Sequence, residues 1–291
     1  MKKCVFTGVA TALVTPFNQD LSINFGMFER LMDFQIKGGV DALVICGTTG
    51  ESATLNDDEK LLLFKSAVKF ANGKLPIIAG TGSNSTSKVI NLSKRAEDCG
   101  VDALLIVTPY YNKTSQLGLI KHYYAIADSI SIPIIVYNVP TRTGMDIKPA
   151  TYKELLKHER IVAIKEASSN IVNLAETFAI CDEPCIYSGA DELILPMLSL
   201  GANGVISVVS NILPEAVSML CRCFFNGDLD TARKSQLELM PIINAIFSDV
   251  NPMPIKHALN CLNFDVGIAR PPLCDINTEL KTQLEKILIK K

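Results

Sequence analysis

The chain has no tryptophan and only three histidines among its 291 residues. His122, His158 and His257 are too far apart to form HExxH or any other local zinc pattern. The nine cysteines include no CxxC pair, and an odd count cannot all pair within the chain. Two close pairs, Cys181 with Cys185 and Cys221 with Cys223, have no nearby histidine to complete a metal site. Reduced thiols in a cytoplasmic protein, with no metal, are therefore expected. No run reaches the roughly 18 apolar residues of a membrane span. The opening "MKKCVFTGVATALVTPF" is basic and then apolar, but Thr and Pro interrupt it and no small-residue cleavage site follows. Surplus charge is missing too: Lys and Arg number 28 against 30 Asp and Glu, a net charge of -2 that gives no field for a polyanion. Neither nucleic acid nor membrane is expected as a partner, and any anionic substrate must be met by local groups.

What is present is apolar surface in a regular arrangement. With 48% hydrophobic residues the chain can bury a full core. Eight strand-length runs recur: "VFTGVATALV", "DALVICG", "LPIIAGTG", "DALLIVTP", "IPIIVYNV", "IVAIKEAS", "PCIYSGA" and "NGVISVV". Most are separated by segments with helix signals. Asn56 before "DDEKLLLFKSAVKFANG", with Glu59 three residues on, is a capping box, and Gly73 is the expected stop. Gly38 and Gly100 are expected to terminate two further helices. The runs do not alternate cleanly, as expected of strands covered on both faces, and strand-helix alternation predicts a parallel sheet. "GGVDALVICGTTGES" and "CGVDALLIVTPYYNK" repeat one order of helix end, strand and polar loop. Eight such units can close as a (β/α)8 barrel or lie in an open doubly wound sheet; the count, and the lack of GxGxxG after the first run, favour the barrel. From Pro214 the strands stop and helical patterns follow, so residues 1–222 are expected to form the barrel and residues 223–291 a helical segment packed on it.

In a barrel the loops after the strands share one face, so polar residues beyond different runs converge there. "VAIKEAS" places Lys165 inside an apolar run. A strand emerging into water would explain it, but near a barrel mouth such a lysine loses hydration, which favours the neutral amine. That amine can attack a ketone and form an imine, an electron sink for carbon-carbon bond chemistry. "GTTGE", residues 47–51, offers backbone amides and two hydroxyls suited to a carboxylate, or it is an ordinary strand-to-helix turn. Tyr137 ends the fifth run and can shuttle protons for imine formation, with Thr48 able to link it to Tyr111. Arg142 in "VPTRTG" supplies a fork for a second carboxylate. Asp191 and Glu192 follow Gly189 before an apolar helix, where carboxylates favour the helix start.

Taken in order, "GVATALVTPF", "GTTGES", "TPYYNK", "YNVPTRTG", "IVAIKEAS", "SGAD" and "NPMPIKHAL" cover nearly the whole chain. In them the chain resembles the dihydrodipicolinate synthase family of the pyruvate-dependent class I aldolase (N-acetylneuraminate lyase) superfamily. The resemblance implies a (β/α)8 barrel with a C-terminal helical segment, assembled as a dimer of dimers. It implies that Lys165 is the Schiff-base lysine, Tyr137 the proton relay, and Thr48 and Tyr111 its companions, Tyr111 reaching the neighbouring subunit's site. Thr49 would receive the pyruvate carboxylate with Thr48, Arg142 the carboxylate of the second substrate, and Gly189 and Ile206 would line the pyruvate pocket. The implied reaction condenses pyruvate with L-aspartate 4-semialdehyde through a lysine-pyruvate imine, with no organic cofactor or metal. An N-acetylneuraminate lyase, a 2-keto-3-deoxy sugar acid aldolase and a non-catalytic barrel are the alternatives. Ser52, Ala53, Asn84 and Tyr110 match an allosteric lysine site, but Asp57 and Lys60 stand where that pattern has histidines and Lys88 where it has a glutamate. Weak lysine inhibition is expected.

Overall fold

Eight parallel strands form a closed barrel in chain order, with the first pairing the last. The structure is a computed structural model that describes residues 3–289. The strands are β1 Gly8–Ala12, β2 Ala42–Ile45, β3 Ile77–Gly80, β4 Ala103–Val107, β5 Ile134–Asn138, β6 Ile161–Glu166, β7 Cys185–Ser188 and β8 Gly204–Ser207. Each lies in one of the eight apolar runs. The helices are α1 Phe25–Lys37, α2 Asp57–Ala71, α3 Thr86–Asp98, α4 Gln116–Ala127, α5 Pro140–Thr143, α6 Pro149–Leu155, α7 Ile171–Ile180, α8 Ile194–Ser199, α9 Pro214–Phe225, α10 Leu229–Ile246, α11 Met253–Cys261 and α12 Thr278–Ile289. The division expected after residue 222 falls within α9, which packs against β1 and α10. The last two residues of the predicted C-terminal helix, Lys290 and Lys291, lie outside the described residues.

Both faces of the strands are buried, which explains the continuous apolar runs. Residues facing the helices, among them Leu43, Ile106, Val136 and Ile164, join the large outer core. The inward set is smaller-bodied, with Ala10, Ala12, Ala42, Ala103 and Ala163 beside Tyr137, Tyr187 and Ile206. The repeated Val-Asp-Ala has a shared task at the barrel entrance. Asp41 accepts from the Val9 amide of the preceding strand at 2.8 Å, and Asp102 does the same for Ile77 at 2.8 Å. Each aspartate thus satisfies a donor at the start of the strand before it and fixes the stagger between neighbours.

Helix ends follow the sequence signals with small shifts. The Asn56–Glu59 capping box is formed in both directions at 2.9 Å. Asn72, not Gly73, caps the end of α2, since asparagine tolerates the left-handed conformation that ends a helix (φ 45°). After α1 it is Gly39, with φ 74°, that turns left-handed, while Gly38 remains helical.

The thiols correct one expectation. Cys4 and Cys185 are joined in a disulfide with Cα atoms 5.8 Å apart, and the other seven cysteines are free. Their 181-residue separation conceals that the N-terminal segment crosses the end of the barrel where β7 begins. There the Phe6 ring stacks on Tyr187 at 4.1 Å, and the Tyr187 hydroxyl donates to the Phe6 carbonyl at 2.8 Å.

Candidate active site

Tyr137 on β5 and Lys165 on β6 are register partners, so both side chains leave neighbouring strands toward the barrel interior. Lys165 is 5% exposed, and its Nζ stands 4.4 Å from the centroid of the Tyr137 ring. The next residue, Glu166, faces the other way and is held by Tyr152 at 2.7 Å, the Ser168 amide at 2.7 Å and Asn138 at 3.1 Å. Burial raises the Glu166 carboxyl above its usual range, opposed by those hydrogen bonds. Period-two alternation therefore separates an amine at the mouth from a carboxylate in the wall, and keeps the Glu166 carboxylate from facing the lysine. Gly189, after β7, leaves the space beside the lysine: a Cβ there would meet Ala167 Cβ at 2.7 Å and Lys165 Cε at 3.0 Å.

"GTTGE" folds over this floor as a cradle. The Glu51 amide donates to the Thr48 carbonyl at 3.1 Å, and Thr15 donates its hydroxyl to the Gly50 carbonyl at 2.7 Å. Glu51 itself is left-handed (φ 57°), a strained position for a residue with a side chain. A buried network over-determines it. Lys256, 2% exposed, donates to Glu51 at 2.8 Å, to the Thr15 carbonyl at 3.0 Å and to the Ile268 carbonyl at 2.9 Å. The Arg270 amide donates to the other Glu51 oxygen at 2.8 Å, and its guanidinium grips both oxygens of Glu59. Breaking a buried pair of this kind costs about 3–5 kcal/mol because one charge is left uncompensated. Desolvation lowers the pKa of Lys256, with Glu51 opposing the shift.

The mouth has two lobes that share Thr48, Tyr137, Val139, Arg142 and Asn251. A lobe of about 490 Å³ reaches Lys165, Thr49 and Gly189. The other, about 580 Å³, runs outward past Ser52, Ala53, Lys60, Lys88 and Tyr110. Asn84 lines neither lobe, and Ile206 lies in the interior layer of the barrel rather than on the lobe walls. Tyr111 is 91% exposed with φ 68° and lines neither lobe, so one chain does not bring it to Thr48 or Tyr137. Asp191 corrects its expected role. It is in the first turn before α8, but its carboxylate accepts from the Val208 and Val209 amides at 2.9 Å, fixing the loop after β8.

Two site residues escaped the reading of the sequence. Asn251 donates from Nδ2 to the Thr49 hydroxyl at 3.0 Å, and its backbone carbonyl accepts from Arg142 at 3.3 Å. Lys256 braces the cradle as described. Both come from "NPMPIKHAL", which carries no chemistry of its own until the fold sets it against residues about 200 positions earlier. Away from the mouth, His257 and Cys261 on α11 and Glu285 on α12 have ligand atoms within 4.8 Å of one another, the single such metal-capable group among the described residues. No local spacing betrays this group, because its third member comes from another helix.

Barrel and mouth together define a lyase of (β/α)8 architecture built around a buried amine. The chain belongs to the dihydrodipicolinate synthetase family, whose model matches residues 5–291. It is 48% identical over 285 residues to 4-hydroxy-tetrahydrodipicolinate synthase of Caldicellulosiruptor bescii, covering 98% of this chain and 97% of that protein. It is 45% identical over 291 residues to the synthase of the same name from Acetivibrio thermocellus, covering 100% and 98%. The solved dihydrodipicolinate synthase of Thermotoga maritima superposes with a TM-score of 0.97 at 38% identity, covering 99% of each chain. The enzyme of Cyanidioschyzon merolae, solved with lysine bound, gives 0.96 at 38% identity, covering 99% of this chain and 98% of that one.

Proposed function

We propose that this chain catalyses the 4-hydroxy-tetrahydrodipicolinate synthase reaction, condensing pyruvate with L-aspartate 4-semialdehyde. The observation that carries the reading is Lys165 in register with Tyr137 at the floor of a lobe whose rim holds Thr48, Thr49 and Arg142. Thr48 and Thr49 receive the pyruvate carboxylate, and the Lys165 amine attacks the ketone carbon. Tyr137 relays protons as the ketone oxygen leaves as water. The resulting iminium loses a methyl proton to become an enamine, whose carbon adds to the aldehyde. The amine of the second substrate then attacks the imine carbon, closes the ring and releases Lys165. The cationic imine is the electron sink, so these steps call on no metal or organic cofactor.

Arg142 favours the semialdehyde over a sugar acid, because a guanidinium fork at the rim matches a short substrate with its own carboxylate. We further assign Tyr111 to the mouth of a second copy of the chain, which makes the working form a homo-oligomer, with a dimer of dimers as its expected assembly. Seven of the nine cysteines are free, which favours a reducing, cytoplasmic setting, while the Cys4–Cys185 disulfide counts against it.

Borohydride reduction in the presence of pyruvate adds one pyruvate-derived mass to the peptide holding Lys165. Label on another lysine overturns the mechanism. A paired assay sets pyruvate plus aspartate semialdehyde against cleavage of N-acetylneuraminate and 2-keto-3-deoxygluconate. Turnover confined to either sugar acid overturns the substrate assignment.

A further inference from the structure

Away from the mouth, an imidazole, a thiol and a carboxylate meet between the last two helices. His257 lies one turn before Cys261 on α11, so both side chains leave the same face of that helix. Glu285 comes to them from α12, which packs against α11. His257 Nε2 stands 3.4 Å from Cys261 Sγ and 3.7 Å from Glu285 Oε1, and the sulfur lies within 4.8 Å of the carboxylate. None of the three lines either lobe of the mouth. Protons do not satisfy this arrangement. Nε2 carries either a hydrogen or a lone pair. With a hydrogen it cannot accept from the thiol; with a lone pair it accepts from the thiol but faces the carboxylate lone pairs across 3.7 Å, beyond hydrogen-bond range. A divalent cation at the centre takes a lone pair from each.

The spacings suit such an ion. Tetrahedral bonds of about 2.0–2.3 Å to nitrogen, oxygen and sulfur set the ligand atoms about 3.4–3.6 Å apart, close to the 3.4 and 3.7 Å found around Nε2. The sulfur selects a zinc-class ion over magnesium or calcium, which take oxygen ligands. The Glu285 side chain is 52% exposed, so solvent reaches the site and water can complete the tetrahedron. The geometry points to a binding site for one zinc-class divalent ion on His257, Cys261 and Glu285, which ties α12 to α11. Ligation breaks the Cys261 S–H bond: the electron pair goes to the metal, the proton to solvent, and no oxidation state changes. Residues 262–277 between the two helices form neither helix nor strand, so a bridge across their ends restrains a loop that has no regular structure of its own. The ion stands apart from the imine chemistry and anchors the end of the chain.

Zinc is spectroscopically silent, so cobalt(II) is the first probe. The full chain, stripped of metal with a chelator under reducing conditions and titrated with cobalt(II), should bind one ion per chain. Binding should bring a thiolate-to-cobalt charge-transfer band in the near ultraviolet and the strong visible bands of a tetrahedral ion, and zinc should displace it. Cys261→Ser should abolish the charge-transfer band. Glu285→Gln, a change at an exposed position, should weaken zinc binding by at least about tenfold, the loss that follows even when an outer partner of a metal ligand is removed. Zinc should also slow backbone hydrogen exchange across α12 in the wild type and leave it unchanged in Cys261→Ser. No cobalt or zinc bound at about 100 μM overturns the inference. So does a charge-transfer band that survives Cys261→Ser, because the ion then sits on another of the chain's thiols. Bound zinc that leaves exchange in α12 unmoved overturns the tie between the helices.

Discussion

One methyl group is enough to fill the space beside Lys165. A Cβ at position 189 would stand 3.0 Å from Lys165 Cε and 2.7 Å from Ala167 Cβ, so Gly189→Ala must push either the lysine stem or the wall. Reaction geometry tolerates little of this, and a displacement of about 1 Å costs on the order of a hundredfold in rate. We expect this variant to keep its far-UV circular dichroism and lose most borohydride trapping with pyruvate; wild-type trapping would place the lysine stem elsewhere. Residues differ in how visible they are before the fold is known. Lys165 announces itself as a charge in an apolar run, and Tyr137 as a phenol at a strand end. Asn251 and Lys256 do not, because a polar residue on a helix or loop is unremarkable until burial removes its water. Their partners Thr49 and Glu51 lie at the opposite end of the chain.

Among the elements, α2 shows how a few charges change what a surface can hold. Its first turn carries Asp57, and Lys60 reaches back to it at 3.9 Å with its own side chain 12% exposed. Lys60 and Lys88 both face the outer lobe, beside Ser52, Ala53 and Tyr110. A diamino acid entering there meets two ammonium groups, and the two carboxylates that line the lobe, Glu51 and Asp57, already have cationic neighbours in Lys256 and Lys60. Like charges in a partly enclosed site repel, and Lys88 puts an ammonium where the lysine-binding pattern has a glutamate. L-lysine should consequently inhibit weakly or not at all. Rate measurements against added lysine, at saturating and at limiting pyruvate, check this, and strong inhibition at submillimolar lysine would mean that another residue holds its ammonium groups. The capping box of α2 was legible at sequence level because both partners lie within one turn. The two lysines of the lobe were legible only through the family resemblance, since they come from separate helices and no local pattern pairs them.

For the whole molecule, the exposed Tyr111 makes a site distributed over two chains the natural expectation. An isologous contact gives each subunit's loop to the other's mouth. Lys165→Ala and Tyr111→Phe chains, each impaired alone, should recover part of the activity when mixed, since hybrid dimers contain one site with both native residues. Inactivity in mixed dimers verified by mass spectrometry would return Tyr111 to a surface role. The closed barrel was readable from eight runs and the helices between them, because each strand and helix is a local pattern. Where the chain crosses the barrel entrance was not readable, since the Cys4–Cys185 link depends on closure bringing residues 181 positions apart together.

The brace on the cradle also bears on when activity begins during synthesis. The last strand ends at Ser207, yet the groups that hold Glu51 in its left-handed conformation, Lys256 and Arg270, follow on later segments. At about 5–20 residues per second, several seconds separate the emergence of the eighth strand from that of Arg270. A nascent chain can therefore have every strand of its barrel, with Lys165 and Tyr137 already among them, before its carboxylate cradle is fixed. The loop that carries Thr48 and Thr49 is thus braced only by segments that leave the ribosome last.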